Sequence, residues 1–239
     1  MALTRIDLVR YAYAHRGLWG EGVPENSVPA FRAASVAGLG CELDVRMTRD
    51  GELIVFHDAT LERMCNSPKA VAEINFVELR GLRLPDGSRI PTLREALEAM
   101  AGLPTLVEVK IDPPNRRILP LIIEYMNQSP APATLMSFDE PSVWRMTTLM
   151  PERQIGQLIE PLSDLGPEGV AQKAKRARDF DCAYIAPHCS SLAAARDPGP
   201  LITWTVRTER DLSIARRYGA APIFEGLDPA LAIPGGTPI

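Results

Sequence analysis

Long apolar runs are missing from this sequence: none approaches the ~20 residues that span a bilayer, and the stretch from Leu119 to Ile123 is soon broken by Glu124 and Asn127. No transmembrane segment is expected. Residues Met1 to Arg10 lack the apolar stretch and small-residue cleavage site of a secretory leader, which points to a cytoplasmic protein. Cysteine is scarce, and Cys41, Cys65, Cys182 and Cys189 show no Cys-x-x-Cys spacing. Reduced thiols are therefore expected, rather than a disulfide framework or a cysteine-held zinc. An excess of basic charge is absent as well. The 26 Lys and Arg are interspersed among 30 Asp and Glu, a net charge of −4, and provide no field to hold nucleic acid.

What is present suits one large domain. A chain of 239 residues, 46% hydrophobic, can bury roughly 70–75% of the surface its unfolded form exposes. Short apolar runs alternate with stretches of helical spacing, the rhythm of parallel strands joined by crossover helices. Strands are predicted at Tyr11 to His15, Gly40 to Met47, Thr105 to Ile111, Ala133 to Ser137, Gln154 to Ile159, Cys182 to Ala186, Leu201 to Val206 and Pro222 to Phe224. Helices are predicted at Val28 to Ala37, Leu93 to Ala101, Arg116 to Asn127, Pro141 to Met150, Pro167 to Arg178, Ser190 to Arg196 and Glu209 to Tyr218. The expectation is α/β: a single (β/α)8 barrel of the TIM type over residues 1–239.

Two segments depart from the alternation. Leu53 to His57 follows the second strand after too few residues for a parallel crossover, so it is expected to fold back antiparallel. Residues 58–91 carry Pro68, Gly81, Pro85 and Gly87 and no long periodic segment. They read as an inserted excursion of turns, with a short helix around Ala72 to Leu79.

Charge appears where a parallel barrel would not ordinarily tolerate it. In Cys41-Glu42-Leu43-Asp44-Val45-Arg46 and Val107-Glu108-Val109-Lys110 it alternates with apolar side chains. Period two puts Glu42, Asp44 and Arg46 on one face, with neighbours ~6.6 Å apart. A half-exposed strand would account for the pattern in an antiparallel protein. Here helices must cover the outside, so the charges point inward and Glu42, Asp44 and Glu108 converge. Three buried carboxylates need a compensating cation, and an all-oxygen set favours magnesium or calcium over zinc. His15 and His57 each close a strand at the end where barrel active sites lie, and imidazole can move protons near neutral pH. His188, in a loop of small residues after Pro187, reads as structural.

Taken together, His15-Arg16-Gly17, Pro24-Glu25-Asn26-Ser27, Glu42-x-Asp44-Val45, Thr48-x-Asp50-Gly51 and Val55-Phe56-His57-Asp58 resemble the glycerophosphodiester phosphodiesterases. Ile90-Pro91-Thr92-Leu93-x-Glu95, Glu108-Val109-Lys110, Ser137-Phe138 and Trp204-Thr205-Val206 follow in the same order. The resemblance implies a barrel hydrolase that cleaves glycerophosphodiesters to glycerol 3-phosphate and an alcohol with one divalent cation. By the same resemblance, Glu42, Asp44 and Glu108 correspond to metal ligands, His15 and His57 to the acid/base pair, and Arg16 and Lys110 to cations flanking the phosphate. Asn26, Phe138 and Trp204 are candidates for substrate binding, against the alternatives of a helix cap for Asn26 and core packing for the aromatics.

This chain departs from the family pattern in three places: Cys65-Asn66-Ser67-Pro68 replaces a Thr-Gly-rich stretch, Arg207 replaces an asparagine, and Phe224-Glu225-Gly226 replaces Thr-Asp before proline. These changes bear on the leaving group. The alternatives are a same-fold phosphodiesterase acting on lysophospholipids or a sugar-linked diester, and a non-catalytic barrel that binds phosphorylated ligands. A pure binder would not need two histidines, three carboxylates and a lysine together.

Overall fold

The structure, a computed structural model, describes residues 5–111, 116–195 and 199–233. Among them are nine strands: β1 (Tyr13–His15), β2 (Gly40–Met47), β3 (Leu53–Val55), β4 (Thr105–Val109), β5 (Ala133–Ser137), β6 (Ile155–Ile159), β7 (Tyr184–Pro187), β8 (Ile202–Val206) and β9 (Ala221–Phe224). The α-helices are α1 (Val28–Val36), α2 (Glu62–Cys65), α3 (Phe76–Leu79), α4 (Leu93–Ala99), α5 (Ile118–Gln128), α6 (Glu140–Leu149), α7 (Leu162–Asp179), α8 (Leu192–Ala195), α9 (Glu209–Arg217) and α10 (Pro229–Ala232).

Eight parallel strands run in the order β7-β6-β5-β4-β2-β1-β9-β8. Parallel bridges from Ile185 to Leu201 and from His188 to Trp204 bring the two end strands together and nearly close a barrel. β3 pairs antiparallel with β2 outside this ring, as the short connection requires. Aliphatic residues such as Leu43, Val45, Val107 and Val109 face the helix layer. Side chains from the alternate positions, Tyr13, Leu106, Tyr184, Ile202 and Ile223, fill the barrel floor.

Two tyrosine rings in that floor explain two glycines. A Cβ on Gly40 would lie 2.6 Å from the Tyr13 ring, and one on Gly156 would lie 2.2 Å from the Tyr184 ring. The rings are also held by their hydroxyls, Tyr13 donating to the Leu8 carbonyl at 2.8 Å and Tyr184 meeting Thr134 at 2.8 Å. Gly156→Ala should therefore overpack the floor. The cost is about 1–3 kcal/mol, or a melting temperature lower by roughly 2–12 °C for a chain of this size. An unchanged thermal melt would show that the ring can move aside.

Helix starts follow the side chains that satisfy their free amides. Ser27, Asp139 and Thr208 accept from the backbone of Ala30, Ser142 and Asp211. Thr92 and Glu95 form a reciprocal capping box at α4. Some predicted limits need correction. The first strand begins at Tyr13 rather than Tyr11, after a 3-10 turn over Leu8–Arg10. α7 starts earlier than Pro167 because a turn from Leu162 abuts it across Gly166, which has φ +65°. The predicted helix end at Arg196, and residues Met1 to Thr4, lie outside the described residues.

The excursion is better organised than its turn-rich sequence suggests. Ile54, Phe56, Leu61, Val71, Ile74, Leu79, Leu84 and Ile90 form a separate apolar cluster beneath it. The helix predicted around Ala72 to Leu79 is split into a 3-10 turn, Val71–Glu73, and α3. Ile74 between them is extended and buried, and its carbonyl accepts from Arg49 on the β2–β3 turn at 2.9 Å. With φ −103° and ψ 139°, Ile74 interrupts the helical backbone there.

Candidate active site

β2 and β4 carry the carboxylates to one level. Their register pairs Asp44 with Glu108 and Glu42 with Leu106, while β1 sets His15 beside Glu42. Oxygens of Glu42, Asp44 and Glu108 lie within 4.8 Å of one another, and all three residues are buried. The donor set is entirely oxygen and fits a hard divalent cation.

The electrostatics describe a strained cluster. Burial, reinforced by the charges of Asp44 and Glu108, pushes the Glu42 carboxyl well above the ordinary range. Burial also pushes Glu108 up to about 6, against the pull of Lys110. Asp44 is equally buried, yet Lys110 and Arg16 hold it well below the usual carboxylate range. The Lys110 ammonium bridges the pair, 2.9 Å from Asp44 and 2.6 Å from Glu108.

Arg16 and Asn26 both have positive φ, +59° and +53°. Such conformations are uncommon outside glycine, though Asn tolerates them better than Arg, and here they turn polar groups toward the carboxylates. The Arg16 amide donates to Glu42 at 3.2 Å, and its guanidinium lies 2.8 Å from Glu25 and 3.3 Å from Asp44. Asn26 donates its side-chain amide to Asp44 at 2.8 Å and its backbone N–H to the Arg16 carbonyl at 2.8 Å. Neither Glu25 nor Asn26 caps α1, which Ser27 does. The Asn26 amide is thus turned onto the Asp44 carboxylate.

Both histidines are oriented by carboxylates that the charge alternation does not single out. His15 Nδ1 lies 2.5 Å from Glu225, and this hydrogen bond lowers the Glu225 carboxyl to about 2. His57 Nδ1 lies 2.8 Å from Asp58. Burial lowers the His57 pKa, favouring neutral imidazole. Arg63 on α2 joins two parts of the mouth, bonding Asp58 at 2.6 Å and Glu25 at 2.7 Å. Glu225 had a signal in the strand order: β1 pairs with β9 with Ala14 opposite Phe224, so the next residues, His15 and Glu225, meet. Arg63 had none, because its partners lie 5 and 38 residues away.

His15, Arg16, Glu42, His57, Glu108 and Lys110 line one cavity of about 230 Å³. Phe138 and Trp204 form part of its wall, packed edge to face with ring centroids 5.5 Å apart. His188 lies outside this lining, stacked edge-on against Trp204 and bonded to Ser190. Among the described residues, no helix is long and apolar enough to cross a membrane.

The glycerophosphoryl diester phosphodiesterase family model matches residues 15–225. A probable glycerophosphodiester phosphodiesterase 1 from Mycobacterium tuberculosis is 26% identical over 88% of this chain and 87% of its own. A glycerophosphodiester phosphodiesterase from Caldanaerobacter subterraneus is 39% identical, but that match spans only 41% of this chain and 43% of the relative. Among solved structures, a phosphodiesterase from Oleispira antarctica, in complex with the product sn-glycerol-3-phosphate, superimposes with a TM-score of 0.77. It is 22% identical, with 90% of this chain and 92% of that one covered. A glycerophosphodiester phosphodiesterase from Thermotoga maritima gives a TM-score of 0.72 at 23% identity, covering 90% and 93%.

Proposed function

Because this chain belongs to the glycerophosphoryl diester phosphodiesterase family, we propose that it hydrolyses glycerophosphodiesters to glycerol 3-phosphate and an alcohol. The observation that carries this reading is the convergence of two carboxylate-oriented histidines on a buried three-carboxylate cluster in one cavity.

Glu42, Asp44 and Glu108 would hold one divalent cation, magnesium or calcium, which when bound polarises a phosphoryl oxygen. Lys110 and Arg16 keep those carboxylates in place and offset the negative charge that grows in the transition state. Three carboxylates and these two cations, with a divalent ion, leave the site at about +1, matched to a diester of charge −1. Glu225 and Asp58 occupy Nδ1 of the two imidazoles, leaving each Nε2 for proton transfer. One imidazole takes the proton of the nucleophile, water or the neighbouring glycerol hydroxyl. The other protonates the alkoxide as its P–O bond breaks. Phe138 and Trp204 supply an apolar wall beside the phosphate.

Product analysis tests the reading. Glycerophosphodiesters, lysophospholipids and a chromogenic diester would each be offered with magnesium, calcium or chelator. Release of glycerol 3-phosphate from the glycerophosphodiesters is expected, and release from none of them would overturn the proposal. Glu225→Ala should lower turnover on every substrate by roughly 10–100-fold, the range seen when a metal-bound histidine loses the partner that orients it. Unaltered turnover would mean that His15 is oriented without it.

A further inference from the structure

Arg207 follows the last residue of β8, and in the eight-strand order β8 stands four places from β4, on the opposite side of the barrel mouth from Glu108 and Lys110. It lines the same cavity as those residues. Between the two sides lies the apolar wall of Phe138 and Trp204, and the Trp204 indole N–H is already given to the Ala186 carbonyl at 2.9 Å. Whatever extends from a phosphate near the carboxylates along this wall ends at a guanidinium.

That guanidinium is held in place. Its Nε donates to the Glu225 carboxylate, whose other oxygen meets His15. Among the described residues no acceptor engages its two terminal nitrogens, and the side chain is 56% exposed. An arginine fixed through Nε with its terminal N–H groups free is preorganised to receive an anion, because little side-chain freedom remains to be lost. A cation placed against those N–H groups would meet donors only.

Resting on the proposed diesterase activity, we propose that Arg207 is a specificity residue that selects diesters whose leaving alcohol carries an anionic group, such as a carboxylate or phosphate. Two of the three departures from the family pattern, those at Arg207 and Glu225, are then one device.

Three matched glycerophosphodiesters test it, with leaving groups of 3-hydroxypropanoate, propanol and choline. In the wild type, kcat/KM for the carboxylate should exceed that for propanol by at least roughly tenfold, as a charge-assisted hydrogen bond allows, and choline should be the poorest. In Arg207→Gln the carboxylate-to-propanol ratio should approach one. In Arg207→Glu it should fall below one, and Arg207→Lys should keep part of it. The wild-type preference should shrink as salt is raised. Each ratio is internal to one preparation, so a partly folded variant does not blur it. A wild-type ratio near one overturns the proposal, as does an unchanged ratio in Arg207→Gln. Loss by the same factor on all three substrates would instead place Arg207 in support of the phosphate or of His15. Failure of the wild type on all three, with magnesium and with calcium, would overturn the diesterase reading itself.

Discussion

Glu42→Gln is expected to abolish divalent-cation binding and to lower turnover by on the order of a thousandfold, since polarising a phosphoryl oxygen contributes several kcal/mol to transition-state stabilisation. Excess chelator should have the same effect on the wild type. The substitution is close to isosteric and keeps an acceptor for the Arg16 amide that Glu42 now receives at 3.2 Å. Its effect on stability should have the opposite sign. Burial, Asp44 and Glu108 raise the Glu42 pKa above its unfolded value, so ionising Glu42 at neutral pH destabilises the metal-free fold. That cost fades as pH falls through the folded pKa toward the unfolded one, and the amide removes it at every pH. Metal-free Glu42→Gln should therefore melt no lower than the wild type at pH 7. The wild type alone should gain stability on adding magnesium or calcium, because the ion binds only the folded site. Full turnover in chelator, or a variant that keeps the cation-induced shift, would remove the metal from the mechanism.

His15→Ala and His57→Ala should each lower turnover by at least about a hundredfold, within the 10²–10⁴ range of general acid and base groups. Both imidazoles line the cavity and have Nδ1 held by a carboxylate. Lys110 and Arg16 are held protonated by Asp44 and its neighbours, although burial opposes this. The three clustered carboxylates are proposed to hold the cation. Within the cavity lining this leaves the two histidines to move protons near neutral pH. Members of one catalytic unit are non-additive, so the double variant should be little worse than the poorer single one. A diester with a nitrophenol leaving group needs less protonation and should rescue only the variant lacking the general acid, thereby identifying it. A folded alanine variant with near-normal turnover on an alkyl diester would return that histidine to a structural role.

The sequence by itself determined the barrel and the raw material of its site. Alternation of helix and strand spacing is a local property, and so is the period-two placement of Glu42 and Asp44 on one face of β2. The side to which that face points followed from parallel strands covered by helices. His15 was legible because it closes β1, and β3 because its connection is too short for a crossover, whereas the strand expected to end at His57 stops at Val55 and His57 follows it in a bend. Tertiary structure decided the long-range partners. The β1–β9 pairing brings Glu225 to His15 across 210 residues, and α2 carries Arg63 to Asp58 and Glu25 from a part of the excursion that the sequence reads as turns. Arg16 and Lys110, read from sequence as cations facing a phosphate, bond the carboxylates around Asp44. Asn26, which could have been a cap, is turned onto Asp44 by a positive φ. Periodicity specifies which face a side chain occupies, whereas hydrogen-bond partners far apart in sequence depend on which elements become neighbours when the barrel closes, and no local pattern encodes that.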